Sequence, residues 1–190
     1  HAMAKKQELT RPEAPLFFVK PASSYAASGA VIAIPEAAGR VVYEGELGIV
    51  IGKRIRDADE ATAADAIFGY TCTNDVTAPS ILKADASFAQ WVRAKGLDGF
   101  SPFGPVIATG LDPATLTVRT LVNGRERQNY PVADMIFPPA RLVSPLSQGM
   151  TLESGHLIAC GTPNGVGPLP QGGTAEVVID GIGTPSNRLA

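Results

Sequence analysis

Cysteine, histidine and tryptophan are scarce in this chain of 190 residues, which has two cysteines, two histidines and one tryptophan. Two cysteines are too few for a disulfide framework, and Cys72 and Cys160 each lie within an apolar run, as buried free thiols do. We therefore expect a reducing compartment, the cytoplasm. The motif Gly-x-Ser-x-Gly is also absent, which argues against a serine nucleophile.

Charge is sparse as well, because only 18% of residues are charged and the formal net charge is −2. Without a basic surplus to bind phosphate backbones, a nucleic-acid partner is not expected. The longest uncharged stretch, residues 154–175, contains six glycines and three prolines. It cannot form the continuous apolar helix of about 20 residues that spans a bilayer, so a membrane partner is not expected either.

What the sequence does have is short apolar runs separated by 20 glycines and 16 prolines. Such runs favour strands. They cover residues 16–20, 31–34, 41–51, 70–75, 106–109, 117–122, 157–160 and 175–179. Asn123-Gly124 is typical of a two-residue hairpin turn, which predicts that 117–122 pairs with 125–130.

Two segments have helical spacing of apolar residues. The segment 60–68 follows Asp57 and Asp59, either of which can cap its first amides. The segment 135–147 is a second candidate, although prolines interrupt it. The length suits one domain, and the sequence predicts a mainly β fold with short helices.

The run 41–51 carries two carboxylates among apolar residues. Because side chains alternate along a strand, Glu44 and Glu46 share one face, while Tyr43 and Leu47 lie on the other. Both faces are largely apolar, which predicts a strand buried on both sides. Two carboxylates about 6.6 Å apart along a strand raise each other's pKa in a low dielectric, so something must neutralise them.

A hard divalent cation, which takes oxygen ligands, is one partner for such a pair. A solvated strand edge is the alternative interpretation. Asp75 ends the run 70–75, where a strand could deliver a third carboxylate, although aspartate at that position is also a common turn former. Asp75 is therefore a candidate for a third oxygen ligand beside Glu44 and Glu46, and the residues alone leave both interpretations open.

Several motifs together resemble the fumarylacetoacetate hydrolase family, in particular its small single-domain acylpyruvase, oxaloacetate decarboxylase and hydroxyhepta-dienedioate isomerase members. They are PLFFVKP at 15–21, YEGELGIVIGK at 43–53, GY through NDVT at 69–77, AKGLD at 94–98, GP at 104–105, VNG at 122–124, MIF at 135–137 and GTPNGVG at 161–167. Each is unspecific alone, but their shared order covers nearly the whole chain.

The resemblance implies a mixed β-roll and a single catalytic domain over residues 1–190, usually as a homodimer. An N-terminal lid segment over about residues 1–14 is part of that expectation. Since the chain begins with His1 rather than methionine, the lid is either led by vector sequence or lacks its natural start.

The resemblance also implies roles for individual residues. Glu44, Glu46 and Asp75 match the family's Glu, Glu, Asp trio, which binds Mg²⁺ or Mn²⁺. Lys95 matches the family lysine that contacts the metal-bound substrate, whereas without the motif it would be taken for a surface lysine.

The turn with Gly161 and Thr162 matches the family turn that binds the substrate carboxylate through the threonine hydroxyl or amide. An ordinary glycine-rich turn is the alternative interpretation. Gln90 is a further candidate for substrate contact.

The chain departs from the family pattern at two places. Many members have a histidine followed three residues later by a glutamate, and this dyad activates or orients water. His1 stands at about the right distance upstream, but Ala4 replaces the glutamate, so Glu8 would have to take its role from a shifted lid helix. The arginine that follows the metal-binding aspartate in the family is also missing, because Pro79 follows Ala78.

The implied chemistry is an enolate of a 2-oxo or 2-hydroxydienoic acid stabilised by the cation. Hydrolysis of an acylpyruvate-type bond requires a positioned water, whereas decarboxylation of an oxaloacetate-type acid does not. Both cleave a C–C bond, and either is the expected activity. Isomerisation of a hydroxyhepta-dienedioate-type diacid and a non-catalytic metal-binding protein are the alternatives.

Overall fold

The structure is a computed structural model that describes residues 12–190. Within this range the chain forms twelve short strands, which are connected by turns, loops and short helices. They are β1 (Tyr25–Ala26), β2 (Val31–Ile32), β3 (Val41–Tyr43), β4 (Gly45–Ile51), β5 (Ile67–Asn74), β6 (Ser101–Ala108), β7 (Thr117–Val122), β8 (Arg125–Pro131), β9 (Leu157–Ala159), β10 (Gly167–Leu169), β11 (Thr174–Ile179) and β12 (Ser186–Leu189).

The strands form three mixed or antiparallel sheets. One five-stranded sheet has the order β1-β6-β5-β4-β9 and another has the order β2-β12-β11-β7-β8, while β10 and β3 form a two-stranded ribbon. The pairs β1–β6 and β2–β12 are parallel, and the other pairs are antiparallel. This architecture confirms the predicted mainly β fold.

Within residues 12–190, four short α-helices connect the strands. They are α1 (Glu60–Ala66), α2 (Pro79–Leu82), α3 (Trp91–Lys95) and α4 (Pro139–Ser147). Asp59 caps α1 by accepting a hydrogen bond from the Thr62 amide, as its sequence predicts. Among residues 12–190, none of these helices has the length and apolar character needed to cross a bilayer.

An apolar core fills the space between the two larger sheets. Leu47 and Ile49 of β4 pack in one cluster with Val177 and Ile179 of β11, and all four are buried. Burial of each such side chain stabilises the fold by about 1.5–3 kcal/mol. The predicted strand with two buried faces is confirmed, because every residue of β4 is buried.

The predicted hairpin is confirmed at Asn123 and Gly124, which have φ angles of 50° and 72° and connect β7 to β8. Both helical segments are also confirmed, with shorter bounds. The second helix starts only at Pro139 because proline is favoured at the first helical position, where no amide donor is needed.

The prediction of a strand over residues 16–20 is wrong. This segment has no regular secondary structure and pairs with no described strand, and Leu16 is 88% exposed. Its attachment to the fold comes from side chains instead. The Phe18 ring stacks on Trp91 with centroids 5.6 Å apart and lies 5.2 Å from Lys95 Nζ.

Cys72 provides a test of the core. It lies on β5 with no exposed surface, and burial raises the pKa of its thiol to about 12. Since the thiolate is the reactive form, only about one molecule in 10⁴ would carry it at pH 8. We expect a Cys160→Ser variant to show no reaction with a thiol reagent until guanidinium unfolds it, when one thiol should react. Rapid labelling of the folded variant would contradict this packing.

Candidate active site

The chain changes sheets at Glu44, and this break creates the site. Tyr43 pairs with Gly167 in the two-stranded ribbon, whereas Gly45 pairs with Asn74 of β5. Glu44 therefore lies between β3 and β4. Its amide donates to Asn74 Oδ1 at 2.9 Å, and the Asp75 amide donates to the Glu44 carbonyl at 2.8 Å. These bonds hold the predicted carboxylate pair against the end of β5.

Three carboxylates converge at this point. One oxygen from each of Glu44, Glu46 and Asp75 lies within 4.8 Å of the others. Glu46 and Asp75 are buried, and Glu44 is partly exposed. The structure thus brings together the three residues that the sequence analysis grouped as cation ligands.

Two lysines oppose the carboxylates. Lys95, at the end of α3, donates to Glu44 Oε2 at 3.0 Å and to Asp75 Oδ2 at 2.5 Å. It also donates to the Thr77 hydroxyl at 2.7 Å. Lys20 donates to Asp75 Oδ1 and, at 2.8 Å, to the carbonyl of Phe100. Lys95 is only 3% exposed, so the surface-lysine interpretation is wrong.

Burial and mutual repulsion shift the titration of the site. Burial, together with the charges of Asp75 and Glu44, raises the pKa of Glu46 to about 8. Burial also raises the pKa of Glu44 against the opposing effect of Lys95. Burial alone would lower the pKa of Lys95, but the charges of Asp75 and Glu44 raise it. The structure therefore contains the electrostatic repulsion between close carboxylates that the sequence analysis expected.

The oxygen-rich donor set fits a hard divalent cation. Carboxylate oxygens are the ligands that Mg²⁺ and Mn²⁺ take in proteins. Glu46 Oε2 accepts a 2.7 Å bond from the Gly161 amide, whereas Oε1 has no hydrogen-bond partner within residues 12–190. A buried carboxylate beside two further carboxylates is suited to a cation ligand.

The turn with Gly161 and Thr162 adjoins these carboxylates. The Gly161 amide contacts Glu46, as described, and the Thr162 hydroxyl lies 3.2 Å from the Gly45 carbonyl. Gln128 Nε2 donates to the same hydroxyl at 2.8 Å. The turn and the carboxylate strand thus form one hydrogen-bonded unit.

A cavity of about 300 Å³ adjoins this turn. Gly161 and Thr162 form part of its wall, and most of its other lining is apolar. The remaining described lining residues are Pro12, Pro15, Leu16, Tyr130, Asp134, Met135, Ile136, Phe137, Leu142, Cys160 and Pro163. None of the three carboxylates is among the described lining residues, and Gly161, whose amide contacts Glu46, connects the cavity wall to the site.

Other predicted site residues are placed differently. Gln90 precedes α3, and its side chain makes no hydrogen bond within the described part of the chain. His1 and Glu8 lie outside the described residues.

Sequence reasoning did not include Lys20, Thr77 and Gln128 among the site residues. Lys20 and Thr77 do lie within the quoted motifs PLFFVKP and NDVT, which was the available signal. Gln128 follows three charged residues on β8, and no pattern there distinguishes it from an exposed side chain.

The protein therefore belongs to the class of β-rich proteins with a candidate divalent-cation site. Three carboxylates converge in that site, and two lysines oppose them. The profile described as fumarylacetoacetate (FAA) hydrolase C-terminal matches residues 1–190. The chain belongs to this family, which confirms the resemblance seen in its motifs.

Three comparisons describe the chain's place in the family. It is 39% identical over 184 residues to the Arabidopsis thaliana protein named oxaloacetate tautomerase FAHD1, mitochondrial, covering 95% of this chain and 82% of that one. It is 36% identical over 189 residues to the 4-hydroxyphenylacetate degradation bifunctional isomerase/decarboxylase of Salmonella dublin, covering 98% of this chain and 44% of that one. The crystal structure of 5-carboxymethyl-2-hydroxymuconate delta-isomerase from Mycobacterium smegmatis superposes with a TM-score of 0.92 at 42% identity, covering 100% of this chain and 74% of that one.

Proposed function

We propose that this protein is a Mg²⁺- or Mn²⁺-dependent enzyme that acts on small 2-oxo or 2-hydroxydienoic acids through their enolates. The observation that carries the proposal is the convergence of Glu44, Glu46 and Asp75 within 4.8 Å, with Lys20 and Lys95 beside them. The three carboxylates would hold the cation. Lys95 is the proposed catalytic lysine.

A bound divalent cation would polarise the carboxylate and keto oxygens of a 2-oxo acid and stabilise the charge that develops on the keto oxygen. The side chains set the charge of the site. With all groups ionised, the carboxylates exceed the lysines by one negative charge, so the loaded site would carry one positive charge. That balance suits a substrate carboxylate. Gly161, Thr162 and Gln90 are the proposed substrate contacts.

Proton transfer is the reaction type that the relatives support best. Two of the compared proteins are named as a tautomerase and an isomerase. C–C bond cleavage is the second candidate, because the Salmonella protein is named both isomerase and decarboxylase. Cleavage would be decarboxylation of an oxaloacetate-type acid or hydrolysis of an acylpyruvate. In the hydrolytic case, His1 and Glu8 are the proposed groups that activate water.

The match of the family profile to residues 1–190 supports one catalytic domain over that range. We further propose that the protein is a cytoplasmic homodimer. Sedimentation equilibrium should then give twice the chain mass of 19.7 kDa. A monomer at micromolar concentration would contradict the dimer.

The test of the reaction uses metal-stripped protein with oxaloacetate, a short acylpyruvate and a hydroxyhepta-dienedioate, each with and without Mg²⁺ or Mn²⁺. Absorbance follows the loss of enol or diene, and proton NMR identifies the product. We expect metal-dependent interconversion of enol and keto forms of at least one substrate. Pyruvate formed from oxaloacetate would identify decarboxylation, and a free acid plus pyruvate would identify hydrolysis.

Metal binding without turnover of any of these acids would favour the non-catalytic alternative. Equal rates with and without cation would contradict the proposed role of the three carboxylates.

A further inference from the structure

Gln128 connects the carboxylate strand to the turn that holds Thr162. It lies on β8 of the opposite sheet and is 2% exposed. Its Oε1 accepts a 3.0 Å bond from the amide of Gly45, the residue between Glu44 and Glu46. Its Nε2 donates to Thr162 Oγ1 at 2.8 Å. One buried side chain therefore spans two elements that the chain brings together from distant positions.

The proton of the Thr162 hydroxyl is already used inside the protein. The hydroxyl has a single proton, which it donates to the Gly45 carbonyl at 3.2 Å, and it accepts the bond from Gln128. The Thr162 backbone amide, by contrast, has no acceptor within residues 12–190. A ligand that approached this turn would meet an amide donor with no acceptor among the described residues and a hydroxyl whose proton is already donated.

The bonds of Gln128 are costly to lose. A buried amide that lacks partners is strongly disfavoured, so the side chain retains its position only while both ends are paired. Gln128 Nε2 also lies 3.4 Å from the carbonyl oxygen of Pro163 and 3.5 Å from the carbonyl oxygen of Asn164. The amide group is therefore oriented with its nitrogen toward the turn and its oxygen toward the carboxylate strand.

We propose that Gln128 is a positioning residue that fixes the Thr162 hydroxyl on the Gly45 carbonyl, so that the backbone amide of Thr162, not its hydroxyl, receives the substrate carboxylate. This inference rests on the proposed function, since it concerns the anion that accompanies the cation.

The main test replaces Gln128 with methionine, which has a similar length and no hydrogen-bonding amide. Oxalate is the probe, because its adjacent carboxylates resemble the head of a 2-oxo acid. Calorimetry would measure Mg²⁺ binding first and oxalate binding to the Mg²⁺-loaded protein second. We expect Gln128→Met to weaken oxalate about tenfold and to change the Mg²⁺ affinity less than about threefold. Gln171→Met, in an exposed turn, is the matched control and should change neither.

A double-mutant cycle tests whether Gln128 acts through Thr162. Thr162→Val removes the hydroxyl and keeps the backbone amide, so we expect a similar loss of about tenfold in oxalate affinity. The double variant should be no weaker than either single variant, because both changes break the same connection. Thr162→Ser keeps a hydroxyl and should behave as the unchanged protein does.

The opposite pattern would overturn the inference. If the hydroxyl contacts the substrate directly, Thr162→Val should lose more than about 100-fold in oxalate affinity and Gln128→Met little. Thr162→Val decides the question alone if Gln128→Met fails to fold. If Gln128→Met loses Mg²⁺ affinity and oxalate affinity by the same factor and also has a lower melting temperature, the role of Gln128 is purely structural. If the unchanged protein binds neither Mg²⁺ nor oxalate, the proposed function fails as well.

Discussion

Replacing Glu46 with glutamine should weaken Mg²⁺ binding more than about 100-fold, since even changes to groups that merely orient metal ligands cost 10–100-fold. Glu46 contributes one of only three carboxylates that converge in the described structure. An amide oxygen is a neutral and weaker ligand for a hard cation. Turnover that depends on the cation should fall at least as far.

The same change should leave the fold intact. The glutamine amide oxygen can still accept the 2.7 Å bond that the Gly161 amide donates to Glu46. Burial and the neighbouring carboxylates raise the pKa of Glu46 to about 8, so at pH 7 the metal-free side chain is mostly protonated and a neutral glutamine resembles it. Above that pH, glutamine also lacks the charge that Asp75 and Glu44 repel. We therefore expect the melting temperature of metal-free Glu46→Gln to equal or exceed that of the unchanged protein.

Calorimetric titration with Mg²⁺ and thermal unfolding without metal measure these two effects separately. Glu153→Gln is the control, because Glu153 is exposed and pairs with Arg54 at 3.0 Å on the surface. It should bind Mg²⁺ normally. Undiminished Mg²⁺ binding by Glu46→Gln would show that these carboxylates do not form a cation site.

The part of the site that could be predicted depends on local pattern. Alternation along 41–51 placed Glu44 and Glu46 on one face, and the end of an apolar run placed Asp75 at the edge of a strand. Periodicity, however, predicted one continuous strand. The break at Glu44 arises because β3 pairs with β10 and β4 with β5, and pairing with distant strands leaves no local signal.

Residues that reach the site from elsewhere were harder to identify. Lys20 lies in an apolar segment whose sequence favours a strand. Its role depends on a hydrogen bond to Asp75, which lies 55 positions later in the chain. Gln128 belongs to a polar strand, Arg125–Pro131, in which only the packing of the opposite sheet determines which side chains point inward. The sequence therefore indicates the chemistry of the carboxylates more clearly than the groups that hold them.

A substitution at Gly45, where the two sheets pack closely at the carboxylate strand, should strongly lower the stability of the protein. Gly45 separates the two glutamates, and a Cβ atom there would lie 1.9 Å from Thr120 Oγ1 and 3.3 Å from Gln128 Oε1. Both neighbours are buried and cannot move toward solvent. We expect Gly45→Ala to destabilise the protein by about 3 kcal/mol and to lower its melting temperature by about 6–12 °C. Chemical and thermal unfolding would measure both.

Removal of the clashing atom should restore part of this stability. In Gly45→Ala with Thr120→Ala, the nearest atom of residue 120 would be its Cβ, 3.1 Å away, so the overlap becomes a tight contact. Thr120→Ala alone should cost little, because its buried hydroxyl has no hydrogen-bond partner among the described residues. The double variant should therefore be more stable than Gly45→Ala. If Gly45→Ala is itself as stable as the unchanged protein, β4 can shift away from β7, and the two glutamates are not held by close packing of the sheets.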